Sequence, residues 1–300
     1  MRGHTAFCRI LRGMGLQKKD NLNNLIECWK KTASDALNIR DEGRMADFWN
    51  KRSENYANNI GKDNRKKRTD EILEFLEESG FDPEGSRVLD IGCGPDTLSL
   101  PLSKLGAEVT ALDISSGMLK RLKDTVKEES LPVDVIETSW WTADIDSLGF
   151  RDRFDLVIAS MTPAIKDIEN FDKMMACSKN FCYYSNFLRR GEDRAYREIR
   201  SSILGENSAN NMNGMTFPFM YLYLSGYMPS VRINHSEWKE ETNWREAADQ
   251  AIEFIGRGRD FDEETKEKIR DYYQNASQDG IYRSKSDVYT GMMVWEVNGK

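Results

Sequence analysis

The sequence predicts an α/β fold built on a parallel sheet, and three observations carry that expectation. From Ser86 onward, β-rich runs alternate with amphipathic segments: "SRVLDIG" with "LSLPLSKLG", then "EVTALDIS" with "GMLKRLKDTVKEE". Alternation of this kind needs right-handed crossovers, which lay helices over both faces of a parallel sheet. The first strand also runs straight into a glycine turn and a helix, in "VLDIGCGPDTLSL", and the second strand ends on an acid, Asp113.

Taken in order, residues 1–20 read as a loose basic tail, too short in its apolar stretch for a secretory signal. Residues 21–80 read as N-terminal helices. Leu22, Leu25, Ile26 and Trp29 recur at helical spacing, then Met45, Phe48, Trp49 and Tyr56. A third helix, "TDEILEFLEESG", is expected to start at Thr69 and end at Gly80. The core spans 81–188, with strands at 87–91, 108–113, 133–138, 154–160 and 181–186. The rhythm then breaks. Residues 189–230 read as an insertion with a charged helix, an Asn-rich stretch and the aromatic run "MTFPFMYLYLSGYMP". Residues 231–300 complete the sheet, with strands near 230–238 and 288–297, the last antiparallel. We read 21–300 as a single domain, with no internal repeat and no linker.

Composition narrows the function classes. A net charge of -7 argues against a nucleic-acid partner bound through phosphate neutralisation. The basic run "GKDNRKKRTD" reads as a solvated helix start. The five cysteines, Cys8, Cys28, Cys93, Cys177 and Cys182, lack metal-ligand spacing and have only His4 and His235 beside them, so no metal site is expected. They read as reduced thiols, placing the chain in the cytoplasm. No apolar run approaches the roughly 20 residues of a membrane span.

The glycine turn decides the ligand class. A dinucleotide turn needs a third glycine for close helix–strand packing, and here Thr97 holds that place. Asp90, two residues before Gly92, would repel a pyrophosphate, as would Asp96. The phosphate-loop alternative lacks its G-K-[ST]. Both acids suit a cation instead. S-adenosyl-L-methionine carries a sulfonium and an ammonium, and its one carboxylate can use the backbone N–H groups of the turn. Asp96 can cap the following helix, and Pro101 gives up one helical bond or delays the helix start.

"VLDIGCGPDTLSL", "VTALDIS", "GML" and "RFDLVIAS", at their spacings, resemble the class I S-adenosylmethionine-dependent methyltransferases. The resemblance runs from about Asp47 to Phe187, with a C-terminal completion at 228–298. It implies a Rossmann-like seven-stranded sheet of order 3-2-1-4-5-7-6 with helices on both faces, an N-terminal helical extension and an insertion after strand 5. It also implies that Asp90 lies near the cofactor's amino group and that Gly92 and Gly94 let the methionine moiety approach. Asp113 would accept from both ribose hydroxyls, and Ile114 and Met118 would flank the adenine. Where the family usually places an acid beside the adenine, this chain has "SWWTADID": Trp140 or Trp141 covers the ring, with Thr142 or Asp144 nearby. Ser160 and the turn "SMTPAI" follow strand 4 beside the methyl, and Trp49 and Tyr56 lie on a helix that closes over the cofactor.

The expected activity is methyl transfer to a nucleophile, N, S, O or C, on a small molecule. The alternatives are a protein side chain as acceptor, or a partner subunit that holds the cofactor without transferring its methyl. A nicotinamide oxidoreductase is disfavoured by Asp90 and Thr97. The sequence offers no dedicated base, which tilts the acceptor toward an amine, a thiolate or an activated carbon. Candidate catalytic residues are Thr162, Tyr221 and Tyr223, in a pocket expected from Met161, Thr162, Pro163 and 212–227. His235 is expected to be structural or superficial, and Cys177 and Cys182 to pack.

Overall fold

The computed structural model describes residues 18–34, 41–59, 62–95, 97–190, 193–205, 214–256 and 260–299. The expected tail to residue 17, Asp96 as a cap and most of the Asn-rich stretch lie outside these residues. So do the side chains of 54–59, Tyr56 among them, of 62–65 and of Arg190.

Among the described residues, three helices precede the sheet: α1 (18–34), α2 (Glu42–Asn59) and α3 (Lys62–Glu78). Helix α3 starts seven residues before Thr69, inside the basic run, because i,i+4 ion pairs such as Lys66–Asp70 and Lys67–Glu71 support that turn. Thr69 is therefore no cap; its hydroxyl donates to the carbonyl of Thr97 at 3.2 Å. Gly80, at φ +90°, ends the helix as expected.

The sheet has seven strands: β1 (Arg87–Ile91), β2 (Glu108–Asp113), β3 (Val133–Glu137), β4 (Phe154–Ser160), β5 (Ser178–Arg190), β6 (Ser230–Asn243) and β7 (Ile281–Glu296). Their order is β3-β2-β1-β4-β5-β7-β6, as expected. Strands β1 to β5 are parallel, and β7 runs antiparallel to both β5 and β6. The central strands are buried on both faces, which is why they read as unbroken apolar runs rather than alternating ones. Helices α4 (Ser99–Lys104), α5 (Ser116–Glu129) and α6 (Ile168–Cys177) make the crossovers. Pro101 costs α4 nothing. The first intrahelical donor is Leu102, bonded to Leu98, so the missing N–H of Pro101 has no bond to lose.

Two apolar layers flank the sheet. One gathers Ile72, Leu76, Leu102 and Leu119 under α3, α4 and α5. The other gathers Trp29, Phe171, Tyr184, Phe217 and Trp295. In that second layer Phe171 is fully buried and meets Trp29, Tyr184, Tyr221 and Trp295 at ring separations of 5.5 to 6.1 Å. Cys177 and Cys182 are buried packing residues, as expected.

Beyond β5 the expected single insertion divides. Helix α7 (Arg194–Glu198), continued by a π-helical turn (Ile199–Ile203), packs with α9 (Trp244–Ile255) and α10 (Glu263–Asn275). Strands β6 and β7 are longer than expected and project past β5 as a two-stranded arm, with α9 and α10 between them in sequence. Ala195, Ile199, Ala248, Ala251, Ile269 and Tyr273 form a third core there. Helix α8 (Thr216–Ser225) instead joins the Trp29–Phe171 layer. His235 is on the arm's surface, stacked on Tyr289 at 4.4 Å and 3.1 Å from Asp287. No helix among the described residues is long and apolar enough to cross a membrane.

Replacing Phe171 by Ala removes the ring shared by four aromatic neighbours. It should cost about 3–5 kcal/mol of stability, read as a lowered urea midpoint at unchanged slope.

Candidate functional site

The carboxyl ends of β1, β2 and β4 open into a cleft of about 910 Å³, part of it open to solvent. Open α/β sheets bind ligands at such a place, where the strand order reverses between β1 and β4. The chain turns sharply after β1: Gly92 and Gly94 take φ +65° and +62°. At Gly92 the need is steric as well. A Cβ there would lie 2.0 Å from the hydroxyl oxygen of Thr162 in the loop after β4. That loop is itself strained, with Met161 at φ +49° while its N–H donates to Ser185 at 2.9 Å.

Two carboxylates are buried in the cleft wall. Asp113 is 9% exposed; one oxygen accepts from the N–H of Gly94 at 3.0 Å and the other from the N–H of Ser115 at 2.8 Å. Each oxygen keeps acceptor capacity, and burial pushes the carboxyl up from its ordinary value. Asp90 is 2% exposed and accepts from the Ser99 hydroxyl at 2.7 Å, tying β1 to the start of α4. Desolvation raises it from 3.8 to about 6, partly offset by Ser99 and reinforced by the charge of Asp113. Among the described residues neither acid has an ion-pair partner. A cationic ligand fits that wall; a pyrophosphate does not.

Among the described residues, one cation lines the cleft. Arg68 of α3 reaches the Ser160 hydroxyl at 3.5 Å, and no carboxylate pairs with it among the described residues. Ser160 is in turn 3.1 Å from the hydroxyl of Ser185. Sequence reading missed Arg68 because it sits in a run of like charges; only the fold turns this one inward.

Helix α2 roofs the cleft through Met45 and Trp49. The carboxamide oxygen of Asn50 accepts from the Ser115 hydroxyl at 2.7 Å and the Gly117 N–H at 3.0 Å. Glu42 accepts from the hydroxyls of Ser139 and Thr142. The roof is thus fastened to the loops after β2 and β3. Gly117 allows the close approach, since a Cβ there would lie 2.6 Å from the Ser53 hydroxyl oxygen.

The structure brings Asp90, Gly92, Gly94, Asp113, Ile114, Met118, Trp141, Ser160 and Thr162 to one cleft, as well as Met161 and Pro163. Trp140 is mostly core, 2% exposed, with its indole N–H donating to Asn170 at 3.2 Å; Trp141 forms the open wall. Thr142 and Asp144 are exposed and outside the lining; Thr142 is turned to Glu42, and Asp144 is bonded to Ser147. Tyr221 and Tyr223 are also outside it, which corrects the expected pocket. Helix α8 packs through Phe217 and Tyr221 on Trp29 of α1 and through Tyr221 on Phe171 of α6; the Tyr221 hydroxyl donates to Asp172, and Tyr223 is 50% exposed to solvent. Residues 214–227 contribute nothing to the lining.

Residues 88–181 match a family model described as a methyltransferase domain. An uncharacterised protein of Haemophilus influenzae is 32% identical over 105 residues, 34% of this chain and 38% of that protein. A ubiquinone biosynthesis O-methyltransferase of Bradyrhizobium diazoefficiens is 39% identical over 75 residues, 25% of this chain and 28% of that enzyme. The chain thus spans well under half the length of these curated relatives. Among solved structures, the magnesium protoporphyrin IX methyltransferase of Synechocystis, with S-adenosylhomocysteine bound, aligns at a TM-score of 0.48 and 14% identity. That alignment covers 83% of this chain and 99% of that one.

The buried acid makes a pH prediction. The folded-state pKa of Asp90 is raised, so its stabilisation is full below pH 3.8 and is lost as the pH rises through about 6. Asp90→Asn has no such loss. Relative to the variant, the unliganded wild type should lose about 2 kcal/mol between pH 4 and pH 7.5 in urea unfolding.

Proposed function

We propose that the chain, whose residues 88–181 match a methyltransferase domain, is a class I S-adenosylmethionine-dependent enzyme that methylates a small molecule. The observation that carries the reading is the pair of buried, unpaired carboxylates at the ends of β1 and β2, facing one cleft with one arginine. A ligand with two cationic centres, one carboxylate and a diol matches that set of donors and acceptors.

Asp113 accepts from the two ribose hydroxyls, using the lone pairs that Gly94 and Ser115 leave free. Asp90 faces the ammonium, whose charge favours ionisation of an acid otherwise poised near pH 6. Arg68 pairs with the cofactor carboxylate, a charge-assisted contact that its place beside Ser160 allows. Ile114, Met118 and Trp141 enclose the adenine. Met45 and Trp49 close the roof and exclude water. Bound there, the cofactor would supply a methyl group on a cationic sulfur that is already a good leaving group.

This chain's remaining task is alignment. Thr162, held against Gly92, presents a hydroxyl at the cofactor's acceptor side. Among the described residues, the titratable groups in the lining are Arg68, Asp90, Cys93 and Asp113. Both acids are engaged with backbone or Ser99, and burial raises the Cys93 thiol well above its usual range. None is free to act as a strong base. That supports an acceptor reactive without one: an amine, a thiolate or an activated carbon. Reduced thiols and the absence of a spanning helix among the described residues accord with a cytoplasmic enzyme.

Calorimetry with S-adenosylhomocysteine should give binding that Asp113→Ala weakens at least tenfold, since a hydrogen bond to a charged acceptor is worth about 1.5–3 kcal/mol. NADH should not bind. Wild-type affinity in the variant would remove Asp113 from the site. Incubation with methyl-labelled cofactor and a lysate should label the small-molecule fraction. Label in protein would favour the side-chain acceptor, and binding without any labelled product would favour a non-catalytic subunit.

A further inference from the structure

The loop after β3 forms one wall of the cleft through Thr138, Ser139 and Trp141, yet its residues 139–143 belong to no strand or helix. Its carbonyls need donors from elsewhere. Lys173, two turns into α6, supplies them. Its ammonium donates to the carbonyl of Trp140, to that of Trp141 at 3.3 Å and to that of Ala143 at 3.2 Å. It also lies 4.8 Å from the Trp140 ring centroid. The three protons of one ammonium match the three acceptors.

Two features separate this contact from ordinary packing. Lys173 is half-buried, and burial lowers its pKa more than the more distant charges of Asp167 and Glu42 raise it. No carboxylate lies within ion-pair distance among the described residues, so its direct hydrogen-bond partners are the three carbonyls. An apolar side chain would fill the space without that cost. The loop it holds is also tied to the acceptor side. The indole N–H of Trp141 donates to the carbonyl of Pro163 at 3.3 Å, and the Lys166 ammonium covers the Trp141 ring at 4.3 Å. Trp141 is therefore fastened by three residues that all follow β4: Pro163, Lys166 and Lys173.

We propose that Lys173 is a positioning residue for the cofactor site: through three backbone carbonyls it fixes the loop that carries Trp141. It touches neither cofactor nor acceptor and acts through that wall. The inference rests on the cofactor site proposed above.

A double-mutant cycle tests it, with S-adenosylhomocysteine titrated by calorimetry into the full chain. Trp141→Ala should weaken binding about tenfold, and Lys173→Met fivefold or more. In the Trp141→Ala background, Lys173→Met should change affinity by less than twofold, because the wall it positions is already gone. A purely structural lysine would lower the thermal midpoint equally in both backgrounds without this non-additivity. Wild-type affinity in Lys173→Met, or a full fivefold loss persisting without Trp141, would overturn the proposal while leaving the cofactor site standing. Wild-type affinity in Trp141→Ala would overturn both the wall's role and the proposal. Should Lys173→Met not fold, Lys173→Gln, which keeps an amide donor, carries the same cycle.

Discussion

The structure turns on a cost: two carboxylates are taken out of water at the ends of neighbouring strands. Asp90 and Asp113 sit in the wall of one cleft, each raised by burial, with no cation paired to either among the described residues. Burial on those terms is tolerable only where donors are fixed in place. The left-handed turn at Gly92 and Gly94 aims one N–H at Asp113, the start of α5 aims another, and Ser99 at the head of α4 serves Asp90. The βαβ crossovers thus hold the acids, and the acids fasten the crossovers to the sheet.

The same constraint gives the cleft its selectivity. A site with two desolvated negative groups and one arginine favours a ligand of mixed charge with cations on the acid side. It disfavours a diphosphate, although the turn superficially resembles a dinucleotide loop. Backbone strain at Met161 and the tight contact of Thr162 on Gly92 bring the acceptor-side loop against the cofactor-side turn. In the proposed reading, this closeness serves the main demand of in-line transfer, a short and fixed distance between acceptor and methyl.

Around that centre the chain adds parts that serve different ends. Helix α2 is roofing, latched by Asn50 and Glu42 to the two loops on the cofactor side. The β6–β7 arm with α7, α9 and α10 has its own core and contributes no residue to the cleft lining. Helix α8 has the composition of a substrate lid, yet it buries Phe217, Pro218 and Leu222 against the Trp29–Phe171 layer and leaves Met220 and Tyr223 exposed.

The sequence by itself determined the strands of the parallel core and the candidate site residues around the glycine turn, while the strand order came from the family resemblance. The strands and the candidates are local features: buried parallel strands are continuous apolar runs, the turn needs glycine, and Asp113 is the last residue of its strand. Only the tertiary structure decided the rest. Arg68 and Lys173 looked like any surface cations, and nothing in their neighbours marks which charge turns inward. Trp140 and Trp141 are adjacent and chemically alike, yet the loop's path sends one into the core and the other to the cleft. Tyr221 and Tyr223 were misplaced for the converse reason: their residue types suit a pocket, but whether a helix faces a pocket depends on contacts with Phe171, Trp29 and β5 that lie far apart in sequence. Periodicity fixes which side of an element is apolar; what that side meets is set by the packing of the whole chain.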